Sequence, residues 1–263
     1  METQEKGFWS FFTSSGDLNE FEVKNDVIRI ESLYKNNGFI DAKVSDPLID
    51  IGTDIIAIHF KISEGNQYKI ASIKIEGDLI QPESELHEMI ESKTGELYSR
   101  EIIRKDINLL SDNYFNQGYA NVKISPLISK KEDTQTMNIV FSVTKGELVY
   151  FDRIRIKGNL KTRDKVIRRE IAIREQGKYS KEKIEQSFGN LNRFDFFENV
   201  EVTPVETDQP NVRDLEVTVA EKQTGAFSVG GGFSSEVNGF FTVSLKENNL
   251  FGRGQTGKIS AEI

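Results

Sequence analysis

Val23-Lys-Asn-Asp-Val27-Ile-Arg-Ile30-Glu-Ser-Leu-Tyr34 decides the fold, because Val23, Val27, Ile30 and Tyr34 follow the 4-3-4 spacing of one helical face and the spacing returns. Adding about 80 to each number gives Ile103, Ile107, Leu110 and Tyr114, and a third copy begins Ile184, Phe188, Leu191. Such a period marks a chain of repeated supersecondary units. After each helix comes a polar or glycine break and a β-prone run, over 37–44, 117–122 and 195–200. A strictly alternating strand follows: Ile56, Ile58, Phe60, Ile62, then Met137, Ile139, Phe141, Val143, then Leu215, Val217, Val219. One face of each is core and the other is wet.

Ahead of the helix the two later copies carry a further strand, Ile73-Lys-Ile-Glu-Gly77 and Ile154-Arg-Ile-Lys-Gly158. A first helix follows, with Leu86 and Ile90, or Ile167 and Ile171, on its apolar side. The unit is β-α-α-β-β, an α+β module with two helices over a three-stranded mixed sheet. Its predicted bounds are 68–148 and 149–222, after a partial copy in 1–67 that lacks the opening strand and helix. Only Asn66 and Gln67 separate Gly65 from the next module, too few for a loose tether.

Pro47, Pro126 and Pro204, three of the five prolines, close the strand after the helix in successive copies. Proline cannot donate to a ladder on both sides, so that strand belongs at a sheet edge. Open edges are places for strand addition. The candidates are Ala42 and Val44, then Ala120, Asn121, Val122 and Ile124, then Val200 and Val202.

From about residue 223 the helical period stops. Phe227, Val229, Gly231 and Phe233 alternate with Ala226, Ser228, Gly230, Gly232 and Ser234. A turn is expected at Glu236-Val-Asn-Gly239. Phe241, Val243 and Leu245 then alternate with Phe240, Thr242, Ser244 and Lys246, and Ile259, Ala261 and Ile263 with Lys258, Ser260 and Glu262. This is the dyad pattern of transmembrane β-barrel strands, and since known barrels need at least about eight, three strands read as the start of one. The chain reads as a segment of a longer protein.

The order of parts resembles the BamA-type outer-membrane assembly factors, with the repeat similar to their POTRA domain. The likeness is carried by the two IxIxG openings, the Ser10-Phe-Phe-Thr-Ser-Ser-Gly16 loop, Arg168-Arg-Glu170, Leu191-Asn-Arg-Phe-Asp-Phe-Phe-Glu198 and Asn248-Asn-Leu-Phe-Gly-Arg-Gly254. The resemblance implies an outer-membrane location with the modules in the periplasm, unfolded outer-membrane proteins as clients, and accessory assembly lipoproteins as partners. It implies that Glu175 lies in a turn facing those lipoproteins; a solvated acidic residue before Gly177 is the plainer reading. It also makes the strand bearing Phe227, Val229, Gly231 and Phe233 the gate where a client strand would pair. A translocation or two-partner secretion pore of the same superfamily, or a purely structural docking arm, remain alternatives.

The net charge of −8 argues against nucleic acid as a partner. No cysteine is present, and no apolar run approaches the roughly 18 residues of a spanning helix. Gly252-Arg-Gly-Gln-Thr-Gly257 matches GxGxxG but precedes an alternating strand, which fits a barrel turn better than a phosphate cradle. Ser180-Lys-Glu-Lys183 has the spacing of a serine–lysine nucleophile, yet Ser180 falls where Ser99 does one repeat earlier, at a helix start, and reads as an N-cap. His59 and His87 lie on polar faces. No catalytic residue, metal site or cofactor is expected. Phe8, Trp9, Phe11 and Phe12 form either a patch that touches membrane or partner, or a loop packed on its own core.

Overall fold

Asn19 opens the first helix, its side-chain oxygen accepting the Phe21 N–H at 3.0 Å. The computed structural model describes residues 19–52, 56–233 and 239–262. The aromatic cluster at Phe8–Phe12, the loop of 10–16, Ser234 and most of the expected turn at 236–239 lie outside these. The chain divides into two compact units, Met1–Ser111 with Lys123–Thr144, and Asp112–Val122 with Lys145–Ile263.

In the first unit, α1 (Glu20–Asn36) precedes two short antiparallel ladders, β1 (Lys43–Val44) with β4 (Ile62–Ser63) and β2 (Leu48–Ile51) with β3 (Ile56–His59). The alternating strand expected through Ile56, Ile58, Phe60 and Ile62 is therefore broken at Phe60 and Lys61, and none of these four side chains is fully buried. Each half has a strand partner on one side only among the described residues.

The second module is complete. It runs β5 (Lys69–Gly77), α2 (Glu83–Met89), α3 (Arg100–Asn116), β6 (Lys123–Lys131) and β7 (Thr136–Thr144), with strand order β5-β7-β6. Central β7 is parallel to β5 and antiparallel to β6. Its inward residues Met137, Ile139, Phe141 and Val143 are buried with Ile75, Leu86, Ile103 and Leu110. The third module, in the second unit, repeats this with β8 (Tyr150–Lys157), α4 (Asp164–Arg168), α5 (Lys181–Asn192), β9 (Phe197–Glu206) and β10 (Val212–Glu221), in the order β8-β10-β9. Phe151, Ile167, Leu191, Leu215 and Val217 form its core. Ser180 caps α5 by accepting the Lys183 N–H at 3.3 Å, as expected.

The β-prone runs after the helices are mostly turns. Gly118, at φ +105°, ends α3 in a Schellman wrap in which the Tyr119 N–H returns to the Tyr114 carbonyl and the Gly118 N–H to that of Phe115. The Val122 N–H then closes on the Tyr119 carbonyl, so Ala120, Asn121 and Val122 are turn residues and the strand starts at Lys123. Gly38, at φ +93°, ends α1 with the Phe39 N–H returning to the Tyr34 carbonyl, and the Ala42 N–H then closes a turn on the Phe39 carbonyl. The first helices are also shorter than their pattern, with Ile90 and Ile171 just beyond them.

Two features repeat below the level of the elements. Gly77 and Gly158, the glycines of the IxIxG strands, have φ of +105° and +84°, and a Cβ on them would lie 2.2 Å from the Val143 carbonyl oxygen and 1.9 Å from that of Val219. Only glycine permits both the left-handed backbone and that approach. A buried polar side chain also recurs at one helical position: Asp26, Asp106 and Ser187 are each 0 % exposed. Asp106 accepts the N–H groups of Glu91 (2.6 Å) and Ser92 (3.3 Å) and the Ser92 hydroxyl, fastening the exit of α2 to α3. Ser187 accepts the Ala172 N–H at 2.9 Å in the third module.

Candidate functional site

A three-stranded sheet has two edges, and in the complete modules they are treated differently. The edge at β5 is covered by its own chain: the Ile70 N–H bonds the Glu96 carbonyl at 2.8 Å, the Tyr98 N–H that of Tyr68 at 3.0 Å, and Ile75 donates to the Glu83 carboxylate at 3.1 Å. That backbone bond is the main reason the Glu83 carboxyl is held below its ordinary range. At β8, segment 176–179 does the same through Phe151 to Gly177 (2.9 Å) and Tyr179 to Val149 (2.8 Å). The Ile154 N–H then meets Glu175 at 3.0 Å, and the Ile154 carbonyl meets Arg168 at 3.0 Å. Arg168 and Glu175 are themselves paired at 3.3 Å. Glu175 is therefore half of a clasp that closes the β8 edge rather than a free acidic residue.

The opposite edges, at β6 and β9, have no strand partner among the described residues. Pro126 sits across from Phe141 and Pro204 across from Leu215. Having no N–H, each must occupy a non-hydrogen-bonded pair, so residues of the same parity turn their main-chain groups outward. Ile124 on β6 and Val200 and Val202 on β9 meet this condition. Their side chains face the core while their N–H and C=O groups form the open edge. Val44 does not, because its N–H donates to Glu31 at 3.1 Å; the Lys35 ammonium first, and then this N–H, hold the Glu31 carboxyl below its usual range. Ala42, 1 % exposed, and the turn residues Ala120, Asn121 and Val122 do not belong to an edge either.

Asn121 has another use. Within the second unit it accepts from Arg213 at 2.7 Å, beside Asn116, which accepts the Glu182 N–H at 2.9 Å, and Lys181, which pairs with Asp112 at 2.7 Å. The first unit holds the same arrangement one repeat earlier, with Asn36 accepting the Glu101 N–H at 3.0 Å and Lys130 pairing with Asp41 at 2.7 Å. Sequence reasoning missed these joints, although their 80-residue recurrence was readable. It also missed an apolar residue that follows each edge proline: Leu48, Leu127 and Val205 are 70 %, 57 % and 42 % exposed.

The last part of the second unit is a meander, β11 (Gly225–Gly232), β12 (Phe240–Glu247) and β13 (Gly257–Glu262), in that order. Its register aligns Phe227 with Leu245 and Ile259, Val229 with Val243 and Ala261, and Gly231 with Phe241. These apolar side chains share one sheet face, and Phe227, Val229, Leu245 and Ile259 are all more than half exposed. Ser228, Ser244 and Ser260 align on the other face. Phe233 lies just past β11, and the free edge of β11 has no strand partner among the described residues.

The β12–β13 loop docks on the third module. Asn249 donates to the buried Thr162 hydroxyl at 2.8 Å, and the Arg163 N–H bonds the Gly252 carbonyl at 2.9 Å. A Cβ on Gly252 would lie 1.9 Å from the Lys161 carbonyl oxygen. Glu221 accepts the Lys161 and Thr162 N–H groups at 2.8 and 2.7 Å. Burial works to raise the Glu221 pKa, but the Thr162 side chain and these N–H groups outweigh it and leave the carboxyl below its ordinary range. Here the GxGxxG match forms a 3₁₀ turn leading into a strand.

The family description of the POTRA domain, the surface antigen variable number repeat, matches residues 68–146 and 149–222. A curated relative from Nitratidesulfovibrio vulgaris, named outer membrane protein assembly factor BamA, is 31 % identical over 98 % of this chain and 33 % of its own length. One of the same name from Neisseria meningitidis is 28 % identical over 99 % of this chain and again 33 % of its own. The chain thus spans about a third of these relatives. The crystal structure of Haemophilus influenzae BamA POTRA3-5 superposes with a TM-score of 0.66 at 23 % identity, covering 77 % of this chain and 81 % of that one, and so shares the fold.

Proposed function

This chain belongs to the POTRA family, and we propose that it is the periplasmic arm and the opening barrel strands of an outer-membrane protein assembly factor. One observation carries the reading. Two modules, each with one edge closed and one open, run into a meander whose register collects every bulky apolar side chain of β11, β12 and β13 except Phe240 on one exposed face. A water-soluble sheet would cover such a face, whereas a barrel wall turns it to lipid.

In this reading the arm works without catalysis. Unfolded outer-membrane proteins add as transient strands to the outward main-chain groups of β6 and β9, where hydrogen bonding reads conformation rather than sequence. The exposed Leu127 and Val205 supply apolar contact for alternate client side chains. Accessory lipoproteins add to the same open edges by main-chain hydrogen bonding. The gate is β11, bearing Phe227, Val229, Gly231 and Phe233. Glycines at 230, 231 and 232 give it little side-chain packing, so a seam closed through β11 opens readily and exposes an edge to the client.

Reconstitution of the full-length parent protein into proteoliposomes tests the proposal. Addition of a urea-unfolded outer-membrane β-barrel protein is expected to give folded, protease-resistant client much faster than empty liposomes do. Equal folding in both would remove the assembly function.

A further inference from the structure

Leu160 and Phe251 are the most exposed large apolar residues of the third module and of the loop docked on it, at 93 % and 77 %. They flank one backbone contact, since Gly252 abuts the Lys161 carbonyl and the Arg163 N–H bonds the Gly252 carbonyl. Phe251 takes φ +54°, a conformation a bulky residue rarely adopts. The loop holds it there through Leu250 to Gln255 (2.9 Å) and Gly254 to the Asn249 side chain (2.8 Å). A folded loop that spends backbone strain to keep an aromatic ring in solvent is shaped for something outside the described residues.

The charges around the pair are sorted. Two carboxylates turn inward, Glu221 to backbone N–H groups and Glu247 to the Thr224 hydroxyl and the Asn249 N–H, while the exposed Asp164 is paired with Arg168. The cations Lys161, Arg163 and Arg253 are exposed and form no ion pair among the described residues. Apolar tips rimmed by cations, in a chain of net charge −8, match the interfacial zone of an anionic bilayer, where apolar groups enter the acyl boundary and Lys or Arg meet phosphates. The row Phe227, Leu245, Ile259 is the end of the exposed apolar face nearest this loop, so one bilayer surface can meet both.

We propose that Leu160 and Phe251, with Lys161, Arg163 and Arg253, form an interfacial anchor that seats the third module on anionic phospholipid headgroups beside the hairpin sheet. The anchor rests on the barrel reading above. It sets the depth at which the module's surface meets the membrane, and its ligand is the headgroup phosphate of a lipid rather than a free anion or a protein.

The chain contains no cysteine, so single labels can be placed cleanly. An environment-sensitive nitrobenzoxadiazole dye is attached in the 263-residue chain to Leu160→Cys, Phe251→Cys, Phe227→Cys and, as a control, Glu201→Cys. Each is mixed with phosphatidylcholine vesicles with or without phosphatidylglycerol. The expected result is a blue shift at 160, 251 and 227 but not at 201, with tighter binding to the anionic vesicles. Lys161→Gln and Arg253→Gln should each weaken that binding by about fivefold and leave binding to neutral vesicles unchanged. A shift at 227 with none at 160 and 251 would overturn the anchor and leave the barrel reading standing. No shift anywhere would overturn the anchor. A shift at 201 as well, or shifts at 160 and 251 indifferent to vesicle charge and to the two substitutions, would also overturn the anchor as stated.

Discussion

Gly77→Ala should cost the second module far more than an ordinary glycine substitution, and the structure supplies its own controls. At Gly77 two penalties combine. The φ of +105° costs an L-residue about 1–2 kcal/mol, and a Cβ 2.2 Å from the Val143 carbonyl oxygen forces β5 and β7 apart at a cost of about 1–3 kcal/mol more. Gly95, at φ +92° with nothing within 4 Å, carries only the first. Gly189, inside α5 and also without a neighbour within 4 Å, carries neither, so its replacement by alanine should stabilise by about 0.5–1 kcal/mol. A chain of two units does not unfold in one step, so the assay is native-state hydrogen exchange at the β7 amides of Ile139 and Phe141 for the first two variants and at Val217 of β10 for the third. Exchange through global opening should accelerate at least about 30-fold in Gly77→Ala, about 5- to 30-fold in Gly95→Ala, and slow in Gly189→Ala. Equal acceleration in the first two would refute the close-approach argument, leaving backbone conformation as the whole effect.

Asp106→Ala should destabilise the second module by about 3–5 kcal/mol, because the Glu91 and Ser92 N–H groups and the buried Ser92 hydroxyl lose their acceptor, whereas Ser187→Ala orphans one N–H at about 1–2 kcal/mol. Equal losses by hydrogen exchange would contradict the assignment of these ties. The docked loop should also respond to acid in a defined window. Glu247, mainly through the Thr224 hydroxyl and the Asn249 N–H, and Glu221, whose hydrogen bonds outweigh its burial, both have folded pKa values below 4.5. Their contribution is complete above that value and fades as pH falls through the depressed ones. The amide resonances of Thr162 and Asn249 should therefore hold steady to about pH 5 and move below it; movement at neutral pH would contradict the bonding described.

The parts of the molecule legible in its sequence are those set by periodicity. The inward row of β7 and the recurring face of the second helix follow from period 2 and period 3.6, and packing had only to accept them. Ala120 and Asn121 misled because β-propensity is silent about a Schellman wrap that uses up the residues before Lys123. Val44 read correctly as a strand, yet the carboxylate of Glu31 thirteen residues earlier takes its outward N–H, a tertiary fact. Glu175 likewise carries no local mark of its bond to Ile154. Asp106 was hidden for a different reason: a lone acidic residue in a helix looks solvated, and only its alignment with Asp26 and Ser187 shows a buried position. Pro126 and Pro204 mark true edge strands because a missing N–H is a constraint no packing can override, although they fall inside β6 and β9 rather than closing them, and Pro47 lies between β1 and β2 outside either strand.

The account stands most directly on which edges a client uses. A photo-crosslinking residue placed singly in the full-length parent protein at Ser125 and Leu127 of β6, Glu201 and Thr203 of β9, Ser228 of β11, and Arg155 of β8 would be illuminated during assembly of an unfolded outer-membrane protein. Adducts are expected along β6, β9 and β11, with β8 silent because Glu175 and Arg168 already hold the Ile154 main chain. Adducts at Arg155 as strong as those on β9, or none on β6 and β9, would contradict strand addition at the open edges.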